Sequence, residues 1–351
     1  MNRLHYIVRR LLLAIPTFIG ITLVCFALTR ILPGGPVEMR LMRMRGGGGG
    51  GEGGGGAAAR VTHVTEAQRR ELNRQFGFDR PFFTQYWKWL VHDRMGLLLP
   101  SYEYNNKTAW QMIRARMPVS LWFGITGFVL SYLICIPLGI TKALRHGTTF
   151  DLGTSVAVFV GYAIPALALG MILKTLLCGT VEGLWDIFPL GGFESADAGS
   201  WSWAARFADR ARHMLLPVIC YVIGSFAVLT LLMKNSLLEQ VGADYVRTAL
   251  AKGATARRAV WGHAVRNALI PIATGFGSIL TLFFAGSFII ETIFEIHGIG
   301  RLSLDAIASR DYAIFMAMLS LTASLQLAGN ILSDFCYLLI DPRVHFGGRN
   351  A

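Results

Sequence analysis

The chain contains no Gly-Lys pair, so it has no G-x-x-x-x-G-K-[ST] loop with which to cradle nucleotide phosphates. It also has no H-E-x-x-H helix, no G-x-S-x-G nucleophile turn, and no conspicuous pair of carboxylates or Ser/His/Asp set. An enzyme is therefore not expected. Charge is scarce: Asp, Glu, Lys and Arg make up 15% of the 351 residues. With 53% hydrophobic residues and a mean hydropathy of +0.48, that scarcity excludes a soluble globule and implies an integral membrane protein. Cys25, Cys135, Cys178, Cys220 and Cys336 show no CxxC or Cys/His ligand spacing. Most lie inside apolar runs and read as small buried hydrophobes rather than disulfides or metal ligands. No histidine lies at the centre of an apolar run, so a histidine proton relay has no material here.

Six apolar runs approach the roughly 20 residues needed to cross a bilayer. They are Leu11–Leu32, Val119–Leu144, Leu152–Leu177, Met214–Met233, Leu269–Ile290 and Tyr312–Ile340. The expected fold is an all-α membrane protein of six transmembrane helices. The first run follows Arg3, Arg9 and Arg10; it is too long for a signal-peptide core and is expected to be retained. Lys and Arg concentrate at the N-terminus, in 142–151, in 234–268 and in the tail (Arg343, Arg349), which places those segments and both termini in the cytoplasm. The same rule explains the formal charge of +12, so nucleic acid is not an expected partner. Acid dominates the opposite loops: Glu182, Asp186, Glu194, Asp197 and Asp209, then Glu291, Glu295, Asp305 and Asp311.

These boundaries divide the chain into an N-terminus with the first helix (1–32), a long external segment (33–117), a five-helix core (118–340) and a tail (341–351). Within the external segment, the tract 46–56, interrupted only by Glu52, is expected to be a flexible linker. Thr65–Phe76 reads as a capped amphipathic helix. Tyr86, Trp87 and Trp89 suit either the headgroup region or packing against external loops. Pro137 with Gly139, and Gly161 with Pro165, would kink or loosen their helices, either for close packing or to bend around a path. Asp334, with Asn330 four residues before it, is the clearest ionisable group deep in a span. It is either functional or hydrogen-bonded to a neighbouring helix.

The most informative stretch is the basic loop within 234–268. Asp244 is placed to cap a short helix, and Gly253 suits the left-handed position that ends one. Tyr245 with Ala249, and Val246 with Leu250, are spaced by four and form an apolar face. Asp244, Arg247, Thr248 and Lys252 fall elsewhere. Thr255 is expected to cap a second helix running towards Pro271. The apolar face either lies on the bilayer or its own bundle, or docks a cytoplasmic partner.

DYVRTALAKGATARRAVWGHAVRNALIP resembles the cytoplasmic coupling loop of the inner-membrane permeases of peptide ABC importers, the dipeptide/oligopeptide permease family. RRLLLAIPTFIGITLVCFALTRILPGGPV is similar to the first-helix signature of its B-type subunits. FGFDRP, MPVSLWFG, IPLGI, GYAIPA, FPLGG, HMLLPV, GSFIIETIFEIHGIGRLSLDAIASRDY and NILSDFCYLLIDPRVHFGGR follow at the family's places. PGGPV, the glycine-rich insertion, GYAIPA and the DPRVHFGGR ending resemble the Yej subgroup, whose members import oligopeptides and peptide-like antibiotics such as microcin C. The resemblance implies an ABC transporter type I transmembrane domain in the bacterial inner membrane. It also implies three kinds of partner: a homologous second permease, a cytoplasmic ABC ATPase that binds the ATP and Mg, and a periplasmic or lipid-anchored peptide-binding protein. No cofactor is implied in this chain. Asp244, Tyr245, Arg247, Thr248, Ala249, Leu250, Lys252 and Gly253 fall on the coupling motif. Arg247 stands where other importers carry glutamate.

Two other classes compete. An ion-gradient-driven secondary transporter would need buried acidic pairs or broken repeat helices, for which Asp334 alone is thin support. A scaffold or receptor binding anionic lipid through the loop would need only its charge, not the ordered cap, helix and glycine.

Overall fold

The computed structural model describes residues 3–31, 79–101, 103–104, 107–275 and 288–340. The expected linker 46–56, the helix Thr65–Phe76, the middle of the fifth span and the tail 341–351 lie outside these residues. Among the described residues the regular structure is helical, with only two isolated bridges, Pro100–Thr108 and Cys178–Asp186. In chain order the helices are α1 (Arg3–Ile31), α2 (Phe82–Trp87, continued by a π turn over Lys88–His92), α3 (Ala109–Leu144), α4 (Thr149–Ala163), α5 (Ala166–Leu177), α6 (Trp203–Val241) and α7 (Asp244–Ala251). They continue with α8 (Ala256–Ala259), a π turn (Val260–Ala264), α9 (Val265–Ala268), α10 (Ile270–Thr274), α11 (Phe288–Ile293), α12 (Ile299–Ala308) and α13 (Tyr312–Ile340).

Four stretches are helical, long and apolar enough to cross a membrane: Val8–Ala27, Ala109–Leu144, Trp203–Val241 and Tyr312–Cys336. The third expected span is not one rod. It is the pair α4 and α5, bent by 93°. The break falls at Ile164, whose extended backbone (φ −80, ψ 119) is what a residue before proline prefers, and Pro165 then opens α5. The fourth span is the middle of a 39-residue helix, about 58 Å long at 1.5 Å per residue. Its first turns are polar and extend beyond the apolar run.

The chain falls into two compact units. The larger takes the described residues of Met1–Ala14, Arg116–Leu302 and Leu325–Ala351. Its helices meet where glycine removes the side chain. A Cβ on Gly127 would lie 2.7 Å from the Tyr221 ring, and one on Gly161 would lie 3.3 Å from Ile223. At Gly139 the same atom would stand 2.6 Å from Met233 Cβ and 2.8 Å from the Thr230 carbonyl oxygen. Gly139 and Gly161, expected to allow close approach, and Gly127, which was not singled out, lie at the crossings of α3 and α4 with α6.

The polar start of α6 is clamped by the segment before it. Glu194 receives Arg206 Nε at 2.9 Å and Nη2 at 2.8 Å, and Arg210 Nε at 2.8 Å. Asp209 accepts Ser195 N and Oγ at 2.8 and 2.7 Å. The Arg206 hydrogen bonds, with those of Arg210, hold the Glu194 carboxyl down to about 2. That lies below the ~4.3 of a free glutamate, so the clamp's contribution is present above the free value and is lost only as pH falls through the bound one. Protease cleavage within 178–202 should accordingly be as slow at pH 5 as at pH 7, and faster in Glu194→Gln at both. Equal cleavage of variant and parent would dismiss the clamp.

The smaller unit takes the described residues of Ile15–Ala115 and Ser303–Ser324. Phe26 of α1 lies 5.7 Å from the Tyr86 ring and 5.4 Å from the Trp89 ring, with Met316 of α13 in the same cluster. Thr22 and Tyr86 share a 2.8 Å hydrogen bond. Tyr86 and Trp89 are thus packed, while Trp87 is exposed. Asp311 accepts the Ser101 hydroxyl and, at 3.3 Å, the Ile314 amide in the first turn of α13.

Candidate functional site

The basic loop is helical over most of its length. α7 is entered through Ala243, whose extended backbone (φ −74, ψ 148) occupies the cap position without a side-chain acceptor. Asp244 does not cap the helix, contrary to the expectation. It is already the first helical residue, so its carboxylate cannot fold back on the free amides. It contributes only charge at the positive end of the helix, 3.7 Å from Arg247. Both side chains are largely in solvent, where such a pair is worth little.

The other end matches expectation. Gly253 has φ +86. Its amide bonds the Leu250 carbonyl at 2.9 Å and the Ala254 amide bonds Ala249 at 3.1 Å, the two crossed bonds that close a helix on a left-handed residue. Thr248 Oγ1 bonds back to the Asp244 carbonyl at 2.9 Å. Thr255 caps the following helix by accepting the Arg258 amide at 3.3 Å.

A side chain at Gly253 would meet nothing within 4 Å, so a substitution there suffers only from its backbone angle. Gly253→Val should therefore insert normally but loosen the last turn of α7 by about 1–2 kcal/mol. Faster amide exchange confined to 248–254 is the expected readout. Unchanged exchange there would discard this role for the glycine.

The expected apolar face splits in two. Val246 is 2% exposed and Ala249 packs beside it. They share a core cluster with Ile140 and Ala143 of α3, Met233 and Leu237 of α6, and Ala259, Ala264, Val265 and Ala268. Tyr245 and Leu250 point outwards, 38% and 44% exposed, and Trp261 joins them at 53%. The Tyr245 hydroxyl donates to Gln240 Oε1 at 2.8 Å. The buried pair is spaced by three, not four, because each α-helical residue advances about 100° and the bundle touches a narrow stripe. The surface left open carries three large apolar side chains among Arg247, Lys252, Arg257 and Arg258. Among the described residues, Lys252, Arg257, Arg258 and Arg266 are in no ion pair, so this surface keeps a strong positive field.

Asp334 is half-buried and pairs with Arg10 Nε of α1 at 3.1 Å, which takes up the charge. Asn330 is not buried within the chain and accepts Gln326 Nε2 at 3.2 Å. The two candidate polar residues are thus separately partnered.

A second polar centre escaped the sequence reading, which took Lys142 and Lys234 only as loop charges. Lys142 is 1% exposed and Asp151 5%. Lys142 Nζ bonds the Asp151 carbonyl (2.9 Å), Thr154 Oγ1 (2.9 Å) and Ser155 Oγ (2.7 Å). Lys234 Nζ of α6 lies 2.8 Å from both carboxylate oxygens of Asp151, and His146 Nδ1 lies 3.1 Å from one. A signal for it existed. Thr154 and Ser155 stand three and four residues after Asp151, so one helical face carries polar groups into an otherwise apolar run.

Elsewhere in this unit Glu291 is 2% exposed and accepts the Arg301 amide at 2.7 Å, while Ser120 Oγ accepts the Ile299 amide at 2.8 Å. Two side chains from elsewhere in the chain thereby cap α12. Gly298 leaves the room: its Cβ would lie 2.6 Å from the Glu291 carboxyl carbon.

Comparison with known proteins places this arrangement. The family described as binding-protein-dependent transport system inner membrane component matches residues 135–346, which include the Asp151 centre and the basic loop. The inner membrane ABC transporter permease protein YejB of Escherichia coli O157:H7 is 36% identical, covering 98% of this chain and 99% of that protein. The peptidoglycan transport system permease protein YejB of Agrobacterium fabrum is also 36% identical, over 99% of both chains. The oligopeptide transport system permease protein AppB of Bacillus subtilis is 31% identical over 97% of this chain and 99% of its own.

Proposed function

The chain belongs to the binding-protein-dependent transport system inner membrane components, and on that premise we propose that it is one membrane subunit of an ATP-driven importer of oligopeptides or peptide-like compounds. The observation that carries the reading is the surface of α7. It is a helix held to its own bundle by Val246 and Ala249, and it leaves Tyr245 and Leu250 uncovered by the rest of the chain beside Arg247 and Lys252. The apolar stripe is thus divided, as a dock for a protein partner requires.

In this reading the cytoplasmic ATPase takes α7 in a cleft, with Tyr245 and Leu250 as anchors and Arg247 and Lys252 setting orientation against acidic partner residues. Asp244, Thr248, Ala249 and Gly253 shape the helix that is gripped. ATP and Mg are held by that ATPase, and this chain supplies no chemistry. A homologous permease completes the pore, and a peptide-binding protein delivers substrate from outside. The chain crosses the inner membrane six times with both termini in the cytoplasm and 33–117 outside. Closure of the ATPase pair moves α7 as a rigid body and shifts the bundle between inward-open and outward-open states. Relatives named for peptidoglycan transport and oligopeptide transport support a substrate class of oligopeptides or peptide-like compounds, with microcin C entering by the same route.

The rival, an ion-gradient-driven transporter, loses its main support because Asp334 is matched by Arg10. Affinity purification of tagged protein from native membranes decides between the two. Co-purification of an ATPase and a second multi-pass permease, lost when Asp244–Lys252 is disrupted, is the expected result. A homodimer without an ATPase would sink the importer reading.

A further inference from the structure

The centre built on Asp151 joins parts of the chain far apart in sequence, and its charges do not balance. Lys142 alone would close the turn between α3 and α4: it holds the Asp151 carbonyl, Thr154 and Ser155, with its Nζ 3.4 Å from Asp151 Oδ1. The Gly147 amide adds a bond to Oδ2 at 3.3 Å. Lys234 is a second cation on one carboxylate, brought from α6 and bonded evenly to both oxygens at 2.8 Å. Among the described residues, this is the one polar tie between α4 and α6. Their other contacts, Gly161 on Ile223 among them, are apolar and carry no fixed direction.

Lys234 is also well placed along α6. The helix ends seven residues later, about two turns, and α7 begins at Asp244. Met233 and Leu237, on either side of it, lie in the core cluster that contains Val246 of α7. On the far side, α4 bends into α5, and Lys174 of α5 bonds the Ile293 carbonyl of α11 at 2.7 Å and Glu295 at 3.0 Å. Contacts thus run from α7 through α6 and α4–α5 to α11. Most are apolar or local; the Lys174 bonds are directional at the α5–α11 step, and the Lys234–Asp151 bridge is the directional link at the α6–α4 step.

We infer that the Lys234–Asp151 bridge is the strut through which movement of α7 is delivered to the bent α4–α5 pair, so that Lys234 is a positioning residue for coupling. This rests on the importer reading. A short, buried, two-oxygen ion pair cannot lengthen without leaving charge unpaired in a low-dielectric interior, so the two helices it joins move together. Apolar contacts alone would let α6 slide past α4, and hydrolysis on the ATPase would then turn over without moving the bundle.

Asp151→Asn would strand two buried lysines, so it is a poor probe. Lys234→Met leaves Lys142 and Asp151 as a balanced pair and removes only the link to α6. The assembly that co-purifies with the chain is reconstituted into proteoliposomes, and ATP hydrolysis and uptake of a labelled tripeptide pool are measured together. In Lys234→Met, hydrolysis should stay near the parent level while uptake per ATP falls roughly tenfold. Lys234→Arg, which keeps charge and reach, should restore it. Undiminished uptake per ATP in Lys234→Met overturns the strut while leaving the importer intact. Loss of both activities in proportion, or failure of the variant to accumulate, assigns Lys234 a purely structural role and also overturns it. Absence of ATP-driven uptake by the parent assembly would instead end the importer reading, and the strut with it.

Discussion

Gly139→Ala is expected to destabilise the protein, and Gly139→Leu to remove it from the membrane. Glycine in a helix normally gains about 0.5–1 kcal/mol on replacement by alanine, because alanine loses less backbone freedom on folding. At Gly139 the sign reverses. The added carbon would stand 2.6 Å from Met233 Cβ and 2.8 Å from the Thr230 carbonyl oxygen, and neither atom is the tip of a flexible side chain. Relief requires α3 and α6 to move apart, and overpacking of this kind costs about 1–3 kcal/mol for a small addition. Separation also loosens the cluster that Ile140 and Met233 share with Val246, so the damage extends to the base of α7. Gly153→Ala is the control: it lies in α4 with nothing within 4 Å of the new atom and should follow the ordinary rule. Thermal melting of the two alanine variants in detergent separates them. Equal melting points would mean that α3 and α6 do not cross at Gly139.

Leu250→Asp and Val246→Asp, four residues apart on one helix, should fail in opposite ways. Leu250 is 44% exposed and Val246 2%. A charge at 250 stays in water, so the chain folds and inserts. The docking surface loses an apolar anchor and gains a charge. Truncating a central anchor alone is worth about 2 kcal/mol or more, roughly a thirtyfold loss of affinity. The ATPase should therefore vanish from the purified assembly while the partner permease remains. A carboxylate at 246 would be buried among Met233, Leu237 and Ala268 without a partner, a burden of several kcal/mol that the protein has little margin to carry. That variant should not accumulate. Matching phenotypes at the two positions would contradict the division of the helix between bundle and solvent.

The same helix separates what pattern could reveal from what it could not. A period near 3.6 places Tyr245, Val246, Ala249 and Leu250 on one side of α7, and any reading of the sequence finds them. Which of them touches the bundle depends on the angle at which α7 leaves α6, and no residue in the loop states that angle. Asp244 shows a similar limit. Its residue type favours the cap, but the chain entered the helix one residue earlier, at Ala243, and residue preference yields to where the backbone turns. Gly253 was legible because a left-handed residue closing a helix is a local matter between a backbone angle and a missing Cβ.

Membrane character, four of the expected spans and the break at Pro165 followed from the sequence. They depend on run length and on what proline forbids its predecessor, and both are short-range physics. The Asp151 centre and the pairing of Arg10 with Asp334 were decided by the tertiary structure alone. A charge beside an apolar run looks the same whether it meets water or a partner 83 residues away, so only the packing of α6 against α4 turns Lys234 from a loop charge into a buried bond.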